Sequence, residues 1–165
     1  MFPRQEVLVA FASQVEVGLN FEVVRNRAEP ADLADKQEYV ILLDGDEEPE
    51  RIDENTGLAL HDMHCAFACF VGGYGVSEPM TALLTKLRHA AVSDRTLGGL
   101  LWGEVVNDYD ADVAYYNGML VGGLVAWDVF STVGASPAGY FSQEYQLTYA
   151  TRPNDAMELV RMGEG

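Results

Sequence analysis

The chain of 165 residues carries 26 acidic against 10 basic side chains, a formal net charge of −16 at pH 7. That length suits one domain able to bury its own core without staples, and the acidity argues against gripping nucleic-acid phosphates, because such affinity rests on Lys and Arg. Two cysteines, Cys65 and Cys69, make no disulfide framework, the sequence shows no basic-plus-apolar leader, and the uncharged residues 63–77 are too few to cross a bilayer as a helix, so a reducing compartment and no membrane span are expected.

Pro3 opens a helix in which Val7, Leu8, Phe11 and Val15 recur at helical spacing beside Gln5, Glu6, Ser13, Gln14 and Glu16, and Gly18 closes it. Residues 21–25 (FEVVR) read as a short strand, residues 26–36 as a loop around Pro30, and residues 39–43 (YVILL) as a strand covered on both faces. Residues 44–55 (DGDEEPERIDEN) hold seven acids and one base, so self-repulsion predicts an exposed turn or mobile arm. Over residues 57–71, Met63, Cys65, Phe67, Cys69 and Val71 alternate on one face of a long strand. Its two cysteines, ~13 Å apart, cannot bridge each other and read as core packing.

Residues 72–75 break that strand, and Ser77 caps a second helix with the apolar stripe Met80, Leu83, Leu84, Leu87 and Ala91. A strand over residues 102–107 follows, then a turn-rich acidic patch at Asp108, Asp110 and Asp112, and β-like segments at 113–116 and 119–133. Residues 134–139 (GASPAG) form a loop. Residues 143–151 alternate Tyr145, Leu147, Tyr149 and Thr151 on one face, and the chain frays after Pro153. This order is not the strict alternation of a doubly wound parallel sheet. It predicts an α+β fold with two main helices on a mostly antiparallel sheet, one domain over residues 1–156, and a flexible tail over 157–165.

No motif carries a clear chemistry. FVGGYGVSEP, between strand and helix, is where phosphates bind, but Glu78 replaces the third glycine of Gly73-x-Gly75 and would put a negative charge beside the phosphate. His61, His64 and Cys65 invite zinc, yet strand geometry points His61 and His64 to opposite faces; His89 suits the C-terminal end of its helix by the dipole alone. Both acidic clusters fail as EF-hand loops: Pro49 and Asn55 stand where the first needs Gly and Glu, Val113 and Met119 where the second does. No Gly-x-Ser-x-Gly occurs, and no Ser or Cys has a base partner by spacing. No catalytic, cofactor-binding or metal residue is expected.

The segment SDRTLGGLLWGEVV, with QLTYATRPNDA near the end, resembles the tail terminator and minor tail proteins of long-tailed bacteriophages. The likeness spans about residues 4–156 and rests on Asp94, Thr96, Leu97, Gly98, Gly99 and Leu100 of a turn, and on Tyr149, Thr151 and Asp155 of a closing strand. It implies a non-enzymatic virion protein, assembled in the host cytoplasm, that forms a hexameric ring at the head-proximal end of the tail tube. Such a ring ends tube growth and offers the surface for head attachment. Its partners would be copies of itself, the tail tube protein and a head–tail connector or head completion protein, with double-stranded DNA passing through as non-adhering cargo. Asp44, Asp46, Glu47, Glu48, Glu50, Asp53, Glu54, Asp108, Asp110 and Asp112 are the acids expected to face the lumen or a partner. A related connector or tail completion subunit, or a small α+β ligand-binding protein or enzyme, are the competing readings. The residues that carry the likeness read on their own terms as scaffold, Asp94 and Thr96 bonding nearby N–H groups and Gly98-Gly99 permitting positive φ.

Overall fold

The computed structural model describes residues 1–25, 38–72, 76–108, 113–130 and 138–162. Helix α1 (Pro3–Leu19) sets Pro3 in its first turn, where the missing N–H costs nothing, and turns Val7, Leu8, Phe11, Val15 and Leu19 inward. Gly18 does not end it. The helix closes on Asn20 in the left-handed conformation (φ 60°), whose N–H donates to the Glu16 carbonyl. A Cβ at Gly18 would clash with Ala90, so the glycine serves close packing against helix α2 (Ser77–Ala91). All five residues of the expected α2 stripe are buried. Ser77 is the first helical residue and not the cap: Val76 occupies that place, already helical in conformation and without a side-chain bond.

Seven strands form the main sheet: β1 (Val23–Arg25), β2 (Glu38–Glu47), β3 (Arg51–Ile52), β4 (Ala59–Gly72), β7 (Met119–Phe130), β8 (Ala138–Arg152) and β9 (Asp155–Val160). Their order is β1-β2-β4-β8-β7, with β3 added to β4 and β9 to β8; among the described residues β5 (Val105–Asp108) and β6 (Val113–Tyr116) pair only with each other. β1 and β2 run parallel, and every other pairing described is antiparallel. The α+β expectation holds.

Period-two alternation builds the core. Met63, Cys65, Phe67 and Cys69 of β4 lie beside Leu147, Tyr145, Gln143 and Phe141 of β8, and this face packs under both helices. Phe11 stands edge-on to Phe67 and Tyr145, ring centroids 5.0 and 5.3 Å apart. Both cysteines are free and buried; burial pushes the Cys65 thiol up to about 12 and Cys69 higher still, so neither is a poised nucleophile.

Three expectations change. Residues 44–55 are exposed as expected, Asp53 apart, but they are not a loose arm: β2 continues through Glu47 across a bulge and β3 pairs with Leu60 and Ala59, because backbone pairing to β4 offsets the charge repulsion. The chain does not fray after Pro153: β9 pairs with β8, with Leu159 and Val160 buried. The strand expected at 102–107 begins at Val105, since Trp102 instead donates its N–H to the Thr148 carbonyl. The loop around Pro30, the glycines Gly73 and Gly75, Asp110, Asp112 and residues 131–137 lie outside the described residues.

Candidate functional site

On the sheet face away from the helices, a cleft of about 380 Å³ lies between the β3 turn and the segment 102–120. Its floor is Asp62, 8% exposed, which accepts from Arg51 Nε (2.8 Å), Arg51 Nη2 (3.1 Å) and Thr148 Oγ1 (2.6 Å). The Arg51 hydrogen bond, chiefly, holds the Asp62 carboxyl below the usual carboxylate range. Asp53 and Glu104 also line the cleft. The guanidinium is committed to Asp62, so the cleft offers an anion little.

On the opposite, helix-covered face, the β2 bulge turns Glu47 toward α1. Its Oε1 accepts from Arg4 Nη1 (3.2 Å) and the Tyr149 hydroxyl (2.8 Å), while His61 stacks on Tyr149 with ring centroids 4.8 Å apart. His61 Nε2 lies 2.8 Å from Thr151 Oγ1, and His61 Nδ1 lies 3.9 Å from Glu47 Oε2. The order Thr151, His61, Glu47 mimics a nucleophile, base and carboxylate. The geometry does not complete it: the 3.9 Å from His61 to Oε2 exceeds a hydrogen bond, Arg4 and the Tyr149 hydroxyl hold the carboxylate through Oε1 instead, and Thr151 is 2% exposed. Burial, then the Glu47 bond, raise the Tyr149 pKa, keeping it a neutral donor. The cluster ties the start of α1 to the sheet. His64, on the opposite face as expected, lies 2.9 Å from Glu48.

The acids named from the sequence therefore divide. Glu47, Glu48 and Asp53 have defined partners, Asp53 accepting from Thr56 Oγ1 at 2.7 Å and from the Asn55 N–H. Asp44 is partnered as well, and Asp44, Asp46, Glu50 and Glu54 are exposed, as Glu47 and Glu48 are. Asp108 ends β5. Among the described residues no group of three or more His, Cys, Asp or Glu is arranged to hold a metal ion.

The turn after α2 is built as scaffold. Asp94 Oδ1 accepts from Thr96 N (2.9 Å) and Thr96 Oγ1 (2.7 Å), and Oδ2 accepts from Gly98 N (2.9 Å). The Thr96 hydroxyl, first among these, lowers the Asp94 pKa. Leu97, Gly98 and Gly99 all have positive φ (47°, 68° and 90°), and the Gly99 carbonyl receives the Met162 N–H at 2.9 Å. Leu97 in this conformation costs about 1 kcal/mol, offset by its buried side chain and those of Leu100 and Leu101.

The feature that sequence reading missed is an apolar surface. Among the described residues β7 is an edge strand pairing only with β8, and Val121 (43%), Leu124 (39%), Val125 (44%), Trp127 (38%) and Val129 (57%) are exposed along it. The β5–β6 ribbon adjoining it exposes Val105, Val113 and Tyr115. The signal was available: from Val113 to Gln143 the sequence has one charged residue, Asp128, in a chain that is 22% charged. Two bulges, between Val121 and Leu124 and between Val125 and Asp128, shape the edge. The first is pinned by buried Gln143, whose Nε2 donates to the Gly122 (2.9 Å) and Gly123 (3.2 Å) carbonyls while its Oε1 accepts from Arg88 Nε (3.0 Å).

Comparison with protein-family models and with curated proteins finds no match.

Proposed function

We propose that this chain is a structural subunit of a long-tailed phage virion. In this reading it assembles as a ring, hexameric in the resembled family, that caps the head-proximal end of the tail tube, ends its growth and presents the surface for head attachment. The observation that carries the reading is the exposed, almost chargeless edge strand β7 on a chain of net charge −16. Exposed apolar surface of this kind marks a protein–protein contact, and an edge strand without a neighbour is a template for another chain. The turn whose residues carry the family likeness supports it as framework, since it joins α2, the β5–β6 ribbon and the segment after β9.

In this account the two-layer body is the rigid wall of the ring. The exposed acids Asp44, Asp46, Glu50 and Glu54 face the lumen or a partner. A lumen lined with carboxylates repels phosphates within about a Debye length, ~8 Å at physiological salt, so DNA passes without adhering. The test is to incubate the purified chain with tail tubes and image them by negative stain. A ring at one end of each tube is expected; tube ends left bare would count against the reading.

A further inference from the structure

We infer that the acidic β3 segment of one subunit, residues 50–54, docks on a shelf between helix α2 and strand β7 of a second copy, where Arg88 and Arg95 receive its carboxylates. The inference rests on the assembly reading above and names its contact.

The shelf is apolar with a cationic wall. Register sets Val121 beside Tyr145 and Leu124 beside Gln143, and Trp127 stacks on Phe141 with ring centroids 5.2 Å apart, so all three stand on the helix side of the sheet. Helix α2 packs on β8 and β4, and these β7 residues beyond it stay exposed. Arg88 Nε donates to Gln143 Oε1 (3.0 Å) and Arg95 Nη1 to the Met119 carbonyl (3.1 Å), both neutral acceptors. Both guanidiniums also act on the Tyr145 hydroxyl, which places them over one stretch of β8.

Acids outnumber bases 26 to 10 in this chain, and Arg4, Arg51 and Arg161 each hold a carboxylate. Among the described residues, Arg88 and Arg95 hold none. The acids near them in sequence or on β7 are turned elsewhere: Asp94 gives its carboxylate to Thr96 and Gly98, and Asp128 stands beside Tyr140 on the other face. Unpaired guanidiniums beside exposed apolar side chains suit a segment that carries both apolar and acidic residues.

The β3 segment has that chemistry. Ile52 is exposed, in register with Ala59, and stands in sequence between exposed Glu50 and Glu54. Its one base, Arg51, is bound to Asp62 and does not cancel them. Segment and shelf cannot meet within one chain. β3 and β8 pair with opposite sides of β4 at Ala59 and Leu60, so β4 and β8 stand between the segment and β7, a span of roughly 14 Å at ~4.8 Å per strand.

A second copy brings the two together. Subunits of net charge −16 repel overall and attract where a cationic shelf meets an acidic segment, so charge fixes which surfaces pair. The surfaces differ and lie toward opposite edges of the sheet, so the contact is head-to-tail and repeats from copy to copy until it closes. Ile52 against Val121, Leu124 and Trp127 holds the pair while the charges choose it; neutral amides therefore still allow rings, and charge reversal opposes them. This leaves Asp44 and Asp46 of β2 for the lumen.

The test uses Ile52→Cys and Val121→Cys in separate full-length chains; both positions are exposed, and the native cysteines are buried and do not compete. Mixed and treated with a short thiol-to-thiol crosslinker, the two variants should give a covalent dimer that neither gives alone, and a chain carrying both should give a ladder ending in a closed species. Glu50→Lys combined with Glu54→Lys, at exposed positions, should weaken self-association about tenfold or more with thermal unfolding of the subunit unchanged. Rings that form without the mixed crosslink, and that the double substitution does not weaken, overturn this contact and leave the assembly reading standing. A crosslink of Val121→Cys with itself shows shelf facing shelf and also overturns it. If the double substitution abolishes capping of tail tubes while self-association is unchanged, the segment meets the tube protein instead, and the contact is again overturned. A chain that stays monomeric at every concentration, and on tail tubes, overturns both.

Discussion

Gln143 is the buried polar side chain on which the shape of β7 depends, and Gln143→Met isolates that role while nearly conserving volume. Gln143 is 0% exposed; its Oε1 accepts from the Arg88 guanidinium, and its Nε2 donates to the carbonyls of Gly122 and Gly123 inside the first bulge. Methionine removes every one of these bonds. Arg88 is itself an exposed residue, so water recovers part of its lost bond and the cost on that side is about 0.5–1.5 kcal/mol. The two glycine carbonyls belong to exposed residues, so water replaces part of what they lose. Added methionine packing returns a little. A net loss of about 1–2 kcal/mol is expected, read as a fall of about 0.5–1 M in the urea midpoint at unchanged slope. Gln143→Glu keeps an acceptor for Arg88 but turns a carboxylate toward the two carbonyls, and it should lose at least as much at neutral pH. A midpoint within ~0.2 M of the parent for Gln143→Met, below what the method resolves as a stability change, would refute the argument that this side chain holds the bulge.

Gly18→Ala forces a methyl into Ala90, so it should destabilise by about 1–2 kcal/mol despite the better helix propensity of alanine; adding Ala90→Gly should restore most of the loss in a double-mutant cycle. The carboxyls of Asp62 and Asp94 are held below their unfolded values by their hydrogen bonds. Their stabilisation is therefore full above about pH 4 and is lost as the pH falls through the lower folded values. Asp62→Asn should flatten that acid limb in denaturation curves, and an unchanged limb would contradict the assignment. Tyr145 and Tyr149 are held neutral above the ordinary tyrosine value, so stability should fall as the pH rises past about 10, less steeply in Tyr149→Phe. Converting Asp44, Asp46, Glu50 and Glu54 to their amides should slow DNA ejection from reconstituted particles while rings still form; unchanged ejection would remove these acids from the lumen.

Much of the fold was legible where burial imposes a period. The α2 stripe, the one-sided alternation of Met63 to Val71 and of Tyr145 to Thr151, and the burial of both cysteines follow from patterns of 3.6 and 2, which a single sequence displays directly. Turn chemistry was legible at Asp94, Thr96, Gly98 and Gly99 for the same reason: the bonds are local. What sequence did not disclose depends on distant partners. Charge repulsion within residues 44–55 suggested looseness, but β4 supplies the backbone pairing that orders them. Gly18 resembled a helix stop because its contact, Ala90, lies across the helix pair. Gln143 gave no local sign that it would carry a bulge from inside the core. The apolar edge escaped because β7 alternates imperfectly across its two bulges, which spread its apolar residues over both faces.

The central claim is that this chain works by assembling with copies of itself. Its most direct test is the native mass of the purified chain, by light scattering across a dilution series and in the presence of tail tubes. The account predicts a discrete closed particle near about six times the chain mass of 18.1 kDa, in solution or on the tube end. A species that remains at the mass of one chain under both conditions would contradict it.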